Sequence, residues 1–137
     1  MPSNVFYMDN VKPVITYGTN GNSTYAKNHS TTVTATDNLS TVKTLKYIIS
    51  TSNTATPSTA ISSGATVSLS ALTGDYYVVT QACDGAGNCT TLATKVFKMD
   101  NTGPVITYGT NGNSTYAKSR STTVTAKDAH TSLKTLK

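Results

Sequence analysis

The chain has 137 residues, 36% of them hydrophobic, with a formal charge of +5 from 11 Lys and Arg against 6 Asp. Ser and Thr make up roughly three residues in ten and Glu and Trp are absent, a composition that suits half-buried pleated strands and excludes a helical protein. The positive charge is scattered over Lys12, Lys27, Lys43, Lys46, Lys95, Lys98 and Arg120, without the dense basic run that a nucleic-acid surface needs, and no apolar run of about 18 residues is present to enter a membrane.

Turn residues recur about every ten positions, and the segments between them read as short strands. Val14 to Tyr17 is the first expected strand, ended by a turn cluster from Gly18 to Ser23. Thr31 to Ala35 alternates, which places Val33 and Ala35 inward and Thr32 and Thr34 outward. Leu45 to Ile49 puts Leu45, Tyr47 and Ile49 on one face, and Ala65 to Leu69 does the same with Val67 and Leu69. Asp75 to Cys83 and Leu92 to Lys98 are expected to close the unit as a hairpin. The stretch Ser50 to Gly64, rich in Ser, Thr and Asn, has room for one short edge strand.

The organisation is set by a repeat. Met8-Asp9-Asn10 and Pro13 through Lys27 return as Met99-Asp100-Asn101 and Pro104 through Lys118. Ser30 through Ala35 returns as Ser121 through Ala126, and Lys43 to Lys46 as Lys134 to Lys137, at a constant offset of 91 residues. That period is the size of an Ig-type sandwich and about twice that of short solenoid repeats. Val5-Phe6 stands before Met8 as Val96-Phe97 stands before Met99. Residues 1–8 are therefore expected to be the last strand of a preceding repeat, 9–99 a complete repeat, and 100–137 the first part of the next. The chain reads as a window on a longer array. Residues Met1 to Asn4 have no signal-peptide character, so an export signal is expected outside this window.

Asp84-Gly85-Ala86-Gly87-Asn88, a D-x-A-G-N turn, lies between the last two expected strands. With the Asp-x-x-x-Pro openings at Asp9 to Pro13 and Asp100 to Pro104, it resembles bacterial Ig-like repeats of large cell-surface and adhesin-like proteins. The resemblance covers essentially the whole chain. It implies an Ig-like antiparallel β-sandwich in tandem, used as a stalk module of a secreted or wall-attached protein, sometimes with calcium at the joints. Locally, Asp84 can simply cap the turn by accepting backbone N–H groups, with Gly85 and Gly87 allowing positive φ. A second reading comes from the topology of the sandwich, in which the entry linker, the second-to-third strand loop and the last hairpin loop share one pole. Asp9, Asp37 and Asp84 would then meet there, with Asn10, Asn38 and Asn88 as neutral oxygen donors. A hard cation such as calcium, which takes six to eight oxygens, would relieve their repulsion and stiffen the joint.

Cys83 and Cys89 flank the same turn, and directly opposite positions beside a hairpin loop come close enough for a disulfide. Five intervening residues fit neither a zinc pattern nor a thioredoxin-like motif. His29 and His130 fall outside the repeat's design, because Arg120 matches the first and Leu39 the second. With no Glu and no G-x-S-x-G, no catalytic residue is expected. The expected role is a non-catalytic spacer or adhesion module at the cell surface. Its expected partners are neighbouring repeats and a host or cell-wall glycan or protein. A carbohydrate-binding accessory module of a secreted glycosidase is the alternative, with Tyr17, Tyr25 and Tyr77 as the candidate aromatics.

Overall fold

Thr alternating with Val, Ile and Leu favours extended backbone, and the computed structural model, which describes residues 1–137, contains strands and no helix. In chain order they are β1 (Val14–Tyr17), β2 (Asn22–Ala26), β3 (Asn28–Thr36), β4 (Val42–Ser50), β5 (Thr59–Ala60), β6 (Ala65–Ser70), β7 (Gly74–Asp84), β8 (Cys89–Ala93), β9 (Phe97–Met99), β10 (Val105–Tyr108) and β11 (Val124–Lys127). One antiparallel sheet has the order β1-β3-β6. A second runs β2-β9-β7-β4-β5, with β8 also paired to β7. Every pairing is antiparallel except β2 with β9, which is parallel.

The two sheets share one core. Ile15, Val33, Ala35, Val67 and Leu69 come from the first sheet, and Leu45, Val78, Ala82, Phe97 and Met99 from the second. Their spacing of two along each strand is what puts them on one face, and burying each larger side chain contributes about 1.5–3 kcal/mol. Tyr47 and Ile49 pack against this core from β4, on the same face as Leu45. The edge strand expected in the Ser50 to Gly64 stretch is β5, held to β4 through Lys46 and Tyr47.

The closing hairpin departs from expectation. Its second arm is two strands separated at residues 94–96. Residues 79–83 of β7 pair with β8, and Gly74 to Tyr76 pair with β9. The break is secured by the buried Thr94, whose hydroxyl accepts the Val78 N–H while its own N–H donates to the Val78 carbonyl. The expected turn cluster is also shorter, because β2 begins at Asn22. Residues 1–13 carry no strand, and Val5, Phe6 and Met8 are exposed.

β7 spans the unit and defines two poles. At its far end Asp84 is level with Val42, beside the β3–β4 loop, and at its start Gly74 is level with Met99. The entry linker before β1 therefore meets one pole and the exit linker at Asp100 leaves the other. Eleven residues of strand separate them by roughly 35 Å. Beyond the exit, β10 and β11 pair as Val105↔Lys127 through Tyr108↔Val124, the register of Val14↔Thr36 through Tyr17↔Val33 moved by one period.

Candidate metal centre at the entry pole

Three segments far apart in sequence bring a carboxylate to the entry pole. Asp9 lies on the linker, Asp37 follows β3, and Asp84 ends β7, and one oxygen from each lies within 4.8 Å of the others. Asp84 is buried, and the other two are partly buried.

The hairpin holds Asp84 most tightly. Its Oδ1 accepts the N–H groups of Ala86, Gly87 and Asn88 at 2.8, 2.7 and 2.9 Å, which is the cap expected of an Asp before a Gly-rich turn. Its Oδ2 accepts the Asn88 side-chain amide at 2.8 Å. Burial works to raise the Asp84 carboxyl, but the hydrogen bonds from Asn88, Gly87 and Ala86 outweigh it and hold the pKa below the ordinary carboxylate value. Asp37 caps its own turn in the same way, Oδ1 accepting the N–H groups of Leu39 and Ser40 at 3.0 and 2.9 Å. Asp9 Oδ1 accepts the Val11 N–H at 2.9 Å, and Oδ2 accepts the Ser40 hydroxyl.

These bonds leave one oxygen unused. Asp37 Oδ2 is buried and has no hydrogen-bond partner. A cation at the centre would take this atom first and share the remaining oxygens of Asp9 and Asp84, with water completing the six to eight ligands calcium prefers. Asn88 does not supply an oxygen there. Its amide nitrogen faces the cluster and donates to the Asp9 carbonyl at 3.0 Å as well as to Asp84, so it acts as a strut between linker and hairpin. Asn10 and Asn38 are solvent-exposed.

The sequence reading missed Ser40, whose hydroxyl ties the linker to the β3–β4 loop. A signal for it existed in the repeat. Thr131, one period on, donates its hydroxyl to Asp100 Oδ2, and Asp128 Oδ1 accepts the N–H groups of His130 and Thr131. The Thr102 hydroxyl holds Asp100 below the usual carboxylate range against burial, and the Thr131 and His130 N–H groups do the same for Asp128. Asn101 was missed as well. Its side chain reaches back to the complete unit, donating to the carbonyls of Lys27 and Leu72 at 3.1 and 2.7 Å.

The remaining candidates fall elsewhere. Cys83 and Cys89 are directly paired across β7 and β8 and form a disulfide, with their Cα atoms 4.1 Å apart. His29 sits beside Phe97, and His130 packs on Tyr25 at the exit pole with ring centroids 5.3 Å apart. Tyr17 is a packing residue whose hydroxyl donates to the Leu92 carbonyl at 2.7 Å, and burial raises its pKa. Tyr25 lies under Lys98, whose ammonium pairs with Asp75, while Tyr77 is partly buried on β7. The three tyrosines do not share one open platform.

No family model, no curated protein and no solved structure matches this chain.

Proposed function

We propose that the chain is a non-catalytic Ig-like stalk or adhesion module of a repetitive, secreted or cell-surface bacterial protein. The observation that carries this reading is that entry and exit linkers leave opposite poles, each through an Asp that is hydrogen-bonded to the loop ahead of it. Units joined in this way add length in one direction, as a spacer requires. The sheet orders support an Ig-like identity, with β1, β3 and β6 on one side and β4, β7 and the β8–β9 segment on the other, the second sheet being extended by β5 beside β4 and by β2 beside β9. The repeat supports a tandem array with neighbouring repeats as the first partners, and affinity for a host or cell-wall glycan or protein would come from many weak contacts. The disulfide suits an extracellular setting.

Within this reading Asp9, Asp37 and Asp84 hold calcium at the joint and clamp the linker onto the pole. The test is a calcium titration of the chain, followed by melting and small-angle scattering. Calcium at 10⁻⁴–10⁻³ M, the range of extracellular modules, is expected to raise the melting temperature by roughly 5 °C, and Asp37→Asn to abolish the rise. Asp37→Asn keeps the Oδ1 cap, so its melting temperature without calcium should stay within about 3 °C of the wild type. No response in the wild-type chain at millimolar calcium would make the carboxylates turn caps only.

A further inference from the structure

Strand β6 is an open edge in the middle of the complete unit. It pairs with β3 from Asn28↔Ser70 to Val33↔Ala65 without a shift of register, and no strand lies on its other side. In an antiparallel sheet, alternate residues aim their N–H and C=O groups to the same side, so half of the six residues of β6 aim theirs away from β3. No backbone hydrogen bond outside the β3 ladder reaches Thr66 to Ser70. Val67 and Leu69 are buried in the core and pin the register, which leaves Thr66, Ser68 and Ser70 facing solvent. The strand runs lengthwise between the poles. Its partner β3 leads into Asp37 at the entry pole, and Leu72 and Thr73, just beyond β6, meet Asn101 at the exit pole. Neighbouring repeats join at those poles, so this flank stays open within an array.

The other edges are blunted. The Tyr17 hydroxyl ties β1 to β8, β5 is two residues long, and β2 pairs irregularly and runs into Lys27. Strand β6 has no charge, no Pro and no bulge, the features that stop a further strand from adding. No residue from Tyr47 to Gly74 is charged. That neutrality selects the partner. A strand that pairs with its own copy across a two-fold axis sets residues near the axis against like residues, so a Lys or Asp there would meet its own charge. A Ser or Thr hydroxyl both donates and accepts, so like meets like without conflict.

We propose that β6 pairs antiparallel with β6 of a second copy of this chain, joining two three-stranded sheets into one continuous sheet. Two strands of six residues make a contact smaller than a standard interface, so a single pair is weak. On the tandem reading, stalks lying side by side would add one such contact per repeat.

Sedimentation of the full chain tests this. The wild type should form a dimer as its concentration is raised to about 1 mM, where even a weak contact is populated. Ser68→Lys and Ser68→Asp each place a charge on the exposed side of β6. Each alone should be monomeric, with a melting temperature within about 3 °C of the wild type. Mixed in equal amounts they should dimerise, because Lys then faces Asp across the axis. Thr16→Lys puts the same charge on the same face of the sheet but on the opposite edge strand, β1, and should leave the dimer intact. A wild type that stays monomeric would overturn the proposal, as would a mixture of the two Ser68 variants that does not pair. A dimer that survives Ser68→Lys would place the contact elsewhere. Loss of the dimer in Thr16→Lys would assign it to the face of the sheet and not to its edge.

Discussion

Asn88 and Asp9 are 79 residues apart, and the Asn88 side-chain amide donates to the Asp9 backbone carbonyl at 3.0 Å. The same amide donates to Asp84, so one side chain fastens the linker to the hairpin whose carboxylate it helps to hold. The entry pole is therefore a hydrogen-bonded unit in its own right, and a cation would add to an existing clamp.

Acid should loosen both poles. Asp84, Asp100 and Asp128 all have pKa values below the ordinary carboxylate value, so each contributes stability that is complete above the unfolded value of about 3.9 and is lost as pH falls through the folded one. Melting followed by circular dichroism is expected to be flat from about pH 7 to about pH 5 and to fall below about pH 4. Asp84→Asn keeps the Oδ1 cap but sets an NH2 group against the Asn88 amide donor at the Oδ2 position, so it should lower the melting temperature at pH 7 and flatten the acid slope. A variant with the wild-type slope would remove Asp84 from this account.

Two equivalent glycines should respond differently to Ala. Gly21 has φ +82° and a Cβ there would lie 2.7 Å from backbone atoms of Lys95 and Val96, whereas Gly112 has φ +85° with nothing within 4 Å. Gly21→Ala must push β2 away from the segment leading into β9, and a drop of more than about 5 °C in the main melting transition is expected. Gly112→Ala carries only the left-handed backbone cost of about 1–2 kcal/mol, at a site outside the core, and should leave that transition in place.

Reducing the Cys83–Cys89 bond should have a modest effect. The closed loop is short, so the bond restrains the unfolded chain by about 2 kcal/mol. Denaturant unfolding with and without reductant is expected to show an unfolding free energy lower by about that amount, read as a lower midpoint at nearly unchanged slope. Loss of folding on reduction would mean that the hairpin depends on the bond far more than its loop length allows.

Asn101→Ala should act on the joint and spare the sandwich. It removes two hydrogen bonds, to the carbonyls of Lys27 and Leu72, at an exposed position where water replaces them. The melting temperature should change by less than about 3 °C, while amide exchange at Asn101 and Thr102 quickens. Unchanged exchange there would show that the linker is held by the Asp100 N–H bond to the Ala26 carbonyl instead.

The amino-acid sequence alone determined the all-β character, the period of 91 residues and most of the core. Alternation in strands such as Thr31 to Ala35 and Ala65 to Leu69 is a local property, and one face of a pleat must be apolar to be buried. It also offered, through the topology of an Ig-type sandwich, a reading in which Asp9, Asp37 and Asp84 share one pole, beside a simple turn cap at Asp84, and the structure brings the three together. Tertiary structure decided the rest. Asn22 and Ser23 read as the end of the Gly18 to Ser23 turn cluster, and the strand Asn22–Ala26 comes from pairing with β9. The final arm splits because β7 is long enough to pair with two successive strands, and the buried Thr94 satisfies the backbone where they separate. From the sequence Asn88 is expected to offer its side-chain oxygen to a cation. Only the proximity of the Asp9 carbonyl and the Asp84 carboxylate, two acceptors brought together by long-range contacts, made it a donor.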